Sequence, residues 1–131
     1  VTVSVSAGVG IDAAGAVARL APTAPIPDWA DAGHFTVITR TPDELSIVCR
    51  QDHIPDDITA ERGWRCLKVA GPLDFALTGI LAALAAPLAQ AGISIFALST
   101  YATDYLLVKE VSIAQAMTVL RAAGWIVQGD I

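Results

Sequence analysis

Basic residues are scarce in this chain. Eight Lys and Arg stand against thirteen Asp and Glu, a formal charge of −5, and only 16% of the 131 residues are charged. So few and such scattered cations make no patch for phosphate backbones or anionic headgroups, so neither nucleic acid nor a membrane is expected as a partner. Cysteine is as sparse, with Cys49 and Cys66 alone. They form no CxxC and have no His at metal-ligand spacing, so no metal set is expected. Each lies in a strand-like run, SIVC and WRCLKV, and reads as a buried or half-buried thiol of a reducing compartment; a disulfide between them stays open. No Lys or Arg precedes Arg19. The basic start of a secretory signal is therefore missing, and a cytoplasmic location is expected. The longest apolar run, Phe75 to Ala89, is broken only by Thr78 and Gly79. It falls short of the ~20 residues a membrane span needs and has no basic cluster at either end, so it reads as a buried amphipathic helix. Catalytic sets are missing too. Asp43-Glu44 and Asp56-Asp57 are adjacent loop acids whose side chains do not converge on one point. His34 and His53 stand at no telling spacing from a Ser, Cys or acid. No enzyme and no cofactor is expected.

What the chain does hold is apolar: 54% of its residues. That is a globular composition, long enough for one compact domain or two small modules. Val1 to Gly15 contains Gly8, Gly10 and Gly15 with no helix start behind them, so it is not a dinucleotide loop; it reads as an extended or frayed end. Ala16 to Leu20 reads as a short strand, the prolines Pro22, Pro25 and Pro27 as an extended loop, and Asp28 to Ala32 as one helical turn anchored by Trp29. His34 to Arg40 alternates, Thr41-Pro42-Asp43 has turn chemistry, and Leu45 to Cys49 is a second strand, so the two form a hairpin. Gln51 to Arg62 is a polar connection.

Trp64 to Ala70 is a strand stopped by Gly71-Pro72. Asp74 stands where a helix N-cap belongs, and Leu77, Ile80, Leu81, Leu84 and Leu88 follow at helical spacing. Pro87 predicts a bend or an early end, and Gly92 a C-terminal stop. Ile93 to Ser99 is apolar on both faces, which predicts a central strand. Thr100 to Thr103 turns the chain into a strand at Asp104 to Lys109. Ser112 and Gln115 spell a capping box; Ile113, Ala116, Met117 and Leu120 make the stripe of a second helix, and Gly124 ends it. Trp125 to Val127 is the last strand. Trp29, Trp64 and Trp125 are expected core anchors. Residues 64–127 thus run β-α-β-β-α-β. This is an α+β, ferredoxin-like order, an antiparallel sheet with both helices on one face. Residues 16–50 run strand, poor helix, strand, strand, a degenerate copy of the same unit. The expected division is an extended or frayed end at 1–15, a degenerate N-terminal unit at 16–62, and a full C-terminal unit at 63–131.

The stretch GPLDFALTGILAALAAPLAQAGISIFALSTYATDYLLVKE, from Gly71 to Glu110, resembles the small bacterial ACT-domain proteins related to the CASTOR-type arginine sensors. TRTPDELSIVC, from Thr39 to Cys49, and PIPDWA, from Pro25 to Ala30, resemble the N-terminal half of the same proteins. The resemblance covers about residues 16–127. It implies a tandem ACT fold that binds an amino acid without catalysing a reaction, usually where two such units meet, and a homodimer. It places the site on the loop after the Trp64–Ala70 strand, the start of the first long helix, and the turn before Asp104. The matching positions are Leu73, Asp74, Phe75, Ala76, Leu77, Thr78, Gly79 and Ile80, then Thr100, Tyr101, Thr103 and Asp104.

Elementary chemistry suits that placement. A helix N-terminus offers unpaired N–H groups to a ligand carboxylate. Gly79 is expected to let a backbone approach closely. Asp104 suits the ligand's ammonium group through a charge-assisted hydrogen bond. Structural roles stay open beside these: an N-cap for Asp74, a hairpin turn for Asp104, and strand-end backbone partners for Ser99 and Thr100. The arginine sensors carry acids just after the Phe of this loop, where this chain has Ala76 and Leu77. A guanidinium would be left poorly paired, at about 1–3 kcal/mol for each unmet polar group, so a neutral or apolar amino acid is favoured over arginine. The competing reading is a dimeric interaction or scaffold protein with a vestigial site.

Overall fold

The computed structural model describes residues 4–7, 14–31, 35–70 and 79–128. In chain order the strands are β1 (Ser4–Ala7), β2 (Gly15–Leu20), β3 (Val37–Arg40), β4 (Leu45–Arg50), β5 (Ala60–Val69), β6 (Ile95–Ser99), β7 (Asp104–Lys109) and β8 (Ile126–Gln128). The helices are α1 (Ile80–Gln90) and α2 (Ile113–Ala122). The chain divides into two compact units: residues 10–64, and residues 1–9 together with 65–131.

In the 10–64 unit the strand order is β3-β4-β2-β5, with β5 represented by its first half. All pairings are antiparallel, and β2 and β4 run in register from Gly15↔Arg50 to Leu20↔Leu45. Period-2 alternation puts Ala16 and Ala18 of β2 on one face, with Leu45, Ile47 and Cys49 of β4 in the same core. Ala30 and Ile54 complete that core, and Trp29 packs against it. No α-helix is present among its described residues, only the 3₁₀ turns Asp28–Asp31 and Gln51–His53. The hairpin between β3 and β4 is closed by Thr41: its hydroxyl accepts the N–H groups of Asp43 and Glu44, each at 3.2 Å. Arg40 donates to the carbonyls of Pro22 and Ala24, and so staples the proline-rich loop to β3. β5 starts at Ala60, four residues before the expected strand. Glu61, Arg62 and Gly63 carry no β-like pattern; what recruits them is backbone pairing to β2, with Gly63 (φ 80°) as the extra residue of a bulge.

In the other unit the order is β8-β1-β5-β7-β6. β1, from the segment read as an extended or frayed end, is an extended strand with two neighbours. It is antiparallel to β5 (Val5↔Val69) and parallel to β8 (Val5↔Val127). The expected β-α-β-β-α-β order is present from β5 to β8, with β1 intercalated beside its first strand. Leu67 and Val69 of β5, and Leu106 and Val108 of β7, alternate onto one face. Leu84 and Leu88 of α1 and Ile113, Ala116, Met117 and Leu120 of α2 cover that face. Both helices therefore pack on the same side of the sheet. Each fully buried leucine there contributes roughly 1.5–3 kcal/mol of apolar burial.

Both helices end in the same way. Past α1, Gly92 (φ 75°) lets its own N–H reach Ala89 O and the N–H of Ile93 reach Leu88 O, at 3.0 and 2.9 Å. Past α2, Gly124 (φ 96°) and Trp125 repeat the pattern on Arg121 and Leu120, both at 3.0 Å. These are Schellman endings, and glycine is required at the left-handed position. Pro87 neither ends nor truncates α1, which continues to Gln90. The proline removes the N–H that Ala83 O would accept, and the indole Nε1–H of Trp125 donates to that carbonyl instead, at 3.3 Å.

Two local expectations are corrected. β6 is not central: among the described residues it pairs with β7 alone. Its two apolar faces report partial cover above and below the sheet, not a neighbour on each edge. Ser112 occupies the N-cap position of α2 but makes no capping bond. A 3₁₀ turn at Glu110–Ser112 runs into the helix, and Ser112 adopts ψ −3°, not the extended backbone from which a cap side chain reaches back. Gly79 holds the N-cap position of the described α1, and Asp74, read as an N-cap, lies outside the described residues.

Candidate functional site

The turn between β6 and β7 is the best-defined part of the expected site. The β6–β7 ladder runs from Ile95↔Val108 to Ser99↔Asp104. At its last rung Ser99 Oγ donates to Asp104 Oδ1 at 2.6 Å. Beyond that rung Tyr101 and Ala102 form the tip, and Tyr101 is 86% exposed. The next pair closes the loop: Thr100 N–H donates to Thr103 O at 2.8 Å, and Thr103 N–H to Thr100 Oγ1 at 3.3 Å. Thr100 thus serves strand-end backbone groups. Asp104 is partly exposed, and its carboxylate is oriented by a serine hydroxyl at the end of a regular ladder.

Thr103 is different in kind. It is 4% exposed, the one buried polar side chain among the described residues, and its Oγ1 donates to Val69 O at 2.6 Å. Val69 is the last residue of β5, so this bond ties the turn to the place where the chain leaves that strand for the 71–78 segment. Sequence reading misses Val69 because it contributes a backbone carbonyl 34 residues away. It also misses the Ser99–Asp104 pair, although a spacing of five around a turn is the signature of a cross-strand rung.

Leu73, Asp74, Phe75, Ala76, Leu77 and Thr78 lie outside the described residues. Gly79 and Ile80 open α1 in the same unit as the turn, with Ala83 N–H donating to Gly79 O at 2.8 Å. Gly79 has no side chain with which to cap the first-turn N–H groups. Its φ is 80°, which an L side chain adopts at a cost, while among the described residues an ideal Cβ there meets nothing within 4 Å. The structure therefore brings together Thr100, Thr103 and Asp104, with Ser99 and Val69.

Two further features lie elsewhere. An open cleft of about 300 Å³ in the 10–64 unit is lined by Arg19, Leu20, Ala21, Pro22, Asp43 and Thr59, and none of the expected site residues borders it. Arg50 clamps Asp52 at 2.7 and 3.1 Å and holds its carboxyl below the usual range. Among the described residues no three His, Cys, Asp or Glu side chains converge as a metal set would, and no helix is long and apolar enough to cross a membrane.

A family model described as an ACT domain matches residues 59–122, and a second, described as an N-terminal domain, matches residues 14–57. Over 76 residues the chain is 40% identical to the cytosolic arginine sensor for mTORC1 subunit 1 of Homo sapiens, a match covering 54% of this chain and 23% of that protein. The chain thus spans under a quarter of the curated relatives' length. An X-ray crystal structure of an Agrobacterium tumefaciens protein is 38% identical and superposes with a TM-score of 0.90, covering 100% of this chain and 96% of that one. The ligand-free regulatory subunit of aspartate kinase from Thermus thermophilus is similar in fold, with 12% identity and a TM-score of 0.57 over 85% of this chain and 92% of that one.

Proposed function

The chain is a small ACT-domain protein related to the CASTOR-type arginine sensors, and from that premise we propose that it is a non-catalytic regulatory module that binds a free amino acid. One observation carries the reading: a partly exposed carboxylate, Asp104, is oriented by Ser99 beside a turn that Thr100 and Thr103 close. A carboxylate held in that way suits an ammonium group. The ligand's own carboxylate meets the first-turn N–H groups beyond Gly79, with the walls supplied by Leu73, Asp74, Phe75, Ala76, Leu77, Thr78, Ile80, Thr100 and Tyr101. The human relative is named an arginine sensor. Here Ala76 and Leu77 offer a guanidinium no acid, so a neutral or apolar amino acid is the expected ligand. The cytosolic name of that relative supports a cytoplasmic location for this chain.

The domain reading belongs to the same proposal. Residues 16–62 are a degenerate copy of the unit at 63–131. The order β3-β4-β2-β5 supports this, because it sets the first strand of the copy between its third and its fourth, as in a ferredoxin-like sheet. Its helices are reduced to 3₁₀ turns. A homodimer is proposed through the outer edge of the sheet at β6, which among the described residues pairs with β7 alone and where Ala97 is exposed.

Thermal unfolding with each of the twenty amino acids at millimolar concentration tests the function. A ligand at a hundredfold over its Kd adds about 2.7 kcal/mol of stability. The expected result is a response to a neutral or apolar member and its loss in Asp104→Asn. A flat response across the panel sinks the sensor reading in favour of a dimeric scaffold with a vestigial site. Equal responses to arginine and leucine sink the ligand preference alone.

A further inference from the structure

Every polar atom of Thr103 is committed inside the protein. Its N–H donates to Thr100 Oγ1. Its carbonyl accepts from Thr100 N–H and from Thr100 Oγ1. Its hydroxyl carries one proton, and that proton goes to Val69 O at 2.6 Å. With 4% of its surface exposed, the side chain has neither a free donor nor the room to touch a ligand. Yet it sits immediately before Asp104, and it is the described side-chain link between the β6–β7 turn and the last residue of β5.

We propose that Thr103 is a positioning residue: through its buried hydroxyl it fixes where the Asp104 carboxylate stands relative to the end of β5, and so sets recognition of the ligand's ammonium group. This rests on the amino-acid reading of the same site. Pairing of β7 with β5 holds the body of the hairpin, while the Ser99–Asp104 bond lies within the hairpin and ties it to nothing else. The bond from Thr103 Oγ1 to Val69 O extends the hold of β5 to the residue just before Asp104, where the strand gives way to the turn. A carboxylate that recognises an ammonium group must be placed to within a fraction of an ångström for the bond to form at full strength.

The test uses the full chain, the amino acid that responds in the panel of twenty, and the same compound N-acetylated, which keeps the carboxylate and side chain but removes the cation. Affinities are measured by calorimetry for wild type, Thr103→Val and Thr103→Ser at a temperature where circular dichroism shows all three folded. Wild type should prefer the free amino acid over its N-acetyl form. In Thr103→Val that preference should shrink by roughly tenfold or more, the factor equivalent to about 1.4 kcal/mol, and Thr103→Ser should restore it. A purely structural threonine would lower the melting temperature in Thr103→Val and leave the preference unchanged, which overturns the proposal while the sensor reading stands. Failure of serine to restore the preference overturns it as well. If none of the twenty amino acids binds wild type, the sensor reading falls and this inference falls with it.

Discussion

Cys66 is fully buried in β5, and burial pushes its thiol up to about 12, with Lys68 pulling in the opposite direction. Cys49 is raised in the same direction, first by burial and then by the charge of Asp52. Because the folded state holds the neutral thiol more tightly than the unfolded one, whose value is 9.0, the stability from Cys66 is complete below pH 9. It is lost as the pH climbs toward 12, since the unfolded chain releases its proton first. Urea unfolding of wild type and Cys66→Ala at stepped pH should give curves whose separation changes only above pH 9; parallel curves up to pH 11 would contradict the burial argument. The sequence alone placed this cysteine in a strand as a buried or half-buried thiol, without deciding between the two. Depth depends on what covers the strand, and that is supplied by residues far away. The same limit applies to Thr103 and Val69. Asp104 was legible from its place after a turn, whereas the hydroxyl beside it pairs with a carbonyl that no residue type advertises. Gly79 was legible as special, but its backbone angle of φ 80° was not, because that angle depends on how the chain enters α1.

Elements follow their patterns where local chemistry and packing agree. The stripe Ile113, Ala116, Met117 and Leu120 is buried as its spacing demands, and Gly92 and Gly124 stop their helices as glycines at left-handed positions do. α1 survives an internal proline because Trp125, in the loop before β8, donates to the carbonyl that Pro87 leaves unpaired. That compensation predicts a coupling. Trp125→Phe should cost about 0.5–1.5 kcal/mol for the lost hydrogen bond. Pro87→Ala restores the backbone donor to Ala83 O, so in that background Trp125→Phe should cost measurably less. A double-mutant cycle read by urea unfolding decides the matter, and full additivity would refute the pairing of Trp125 with the proline's orphan carbonyl. No sequence pattern links the two residues, because the orphan acceptor lies at Ala83 and not at either of them. The edge position of β6 was illegible for a related reason. Apolarity reports burial of a strand's faces and is blind to its hydrogen-bonding edges.

At the scale of the molecule, β1 belongs with β8, far along the chain. β1 stands between β5 and β8 and pairs with both. Deleting residues 1–9 should therefore leave two strands facing each other across a missing one. The expected outcome is a lower urea midpoint for the whole chain and concentration-dependent aggregation by light scattering, as unpaired strand edges invite other chains. An unchanged midpoint would mean that β8 closes directly on β5. This arrangement was beyond reach of the sequence, since Val1 to Gly15 carries only the composition of an extended segment and nothing that names its neighbours.

The same intercalation bears on how the protein is made. β1 precedes every other described strand on the ribosome, yet most of the described chain separates it from one of its two partners, with Ser4 opposite Ile126. While the intervening chain is synthesised, that early strand has no lasting place in a sheet. Contacts so distant along the chain form late and slowly. The 10–64 unit has its own core within one stretch of chain, so it can finish first.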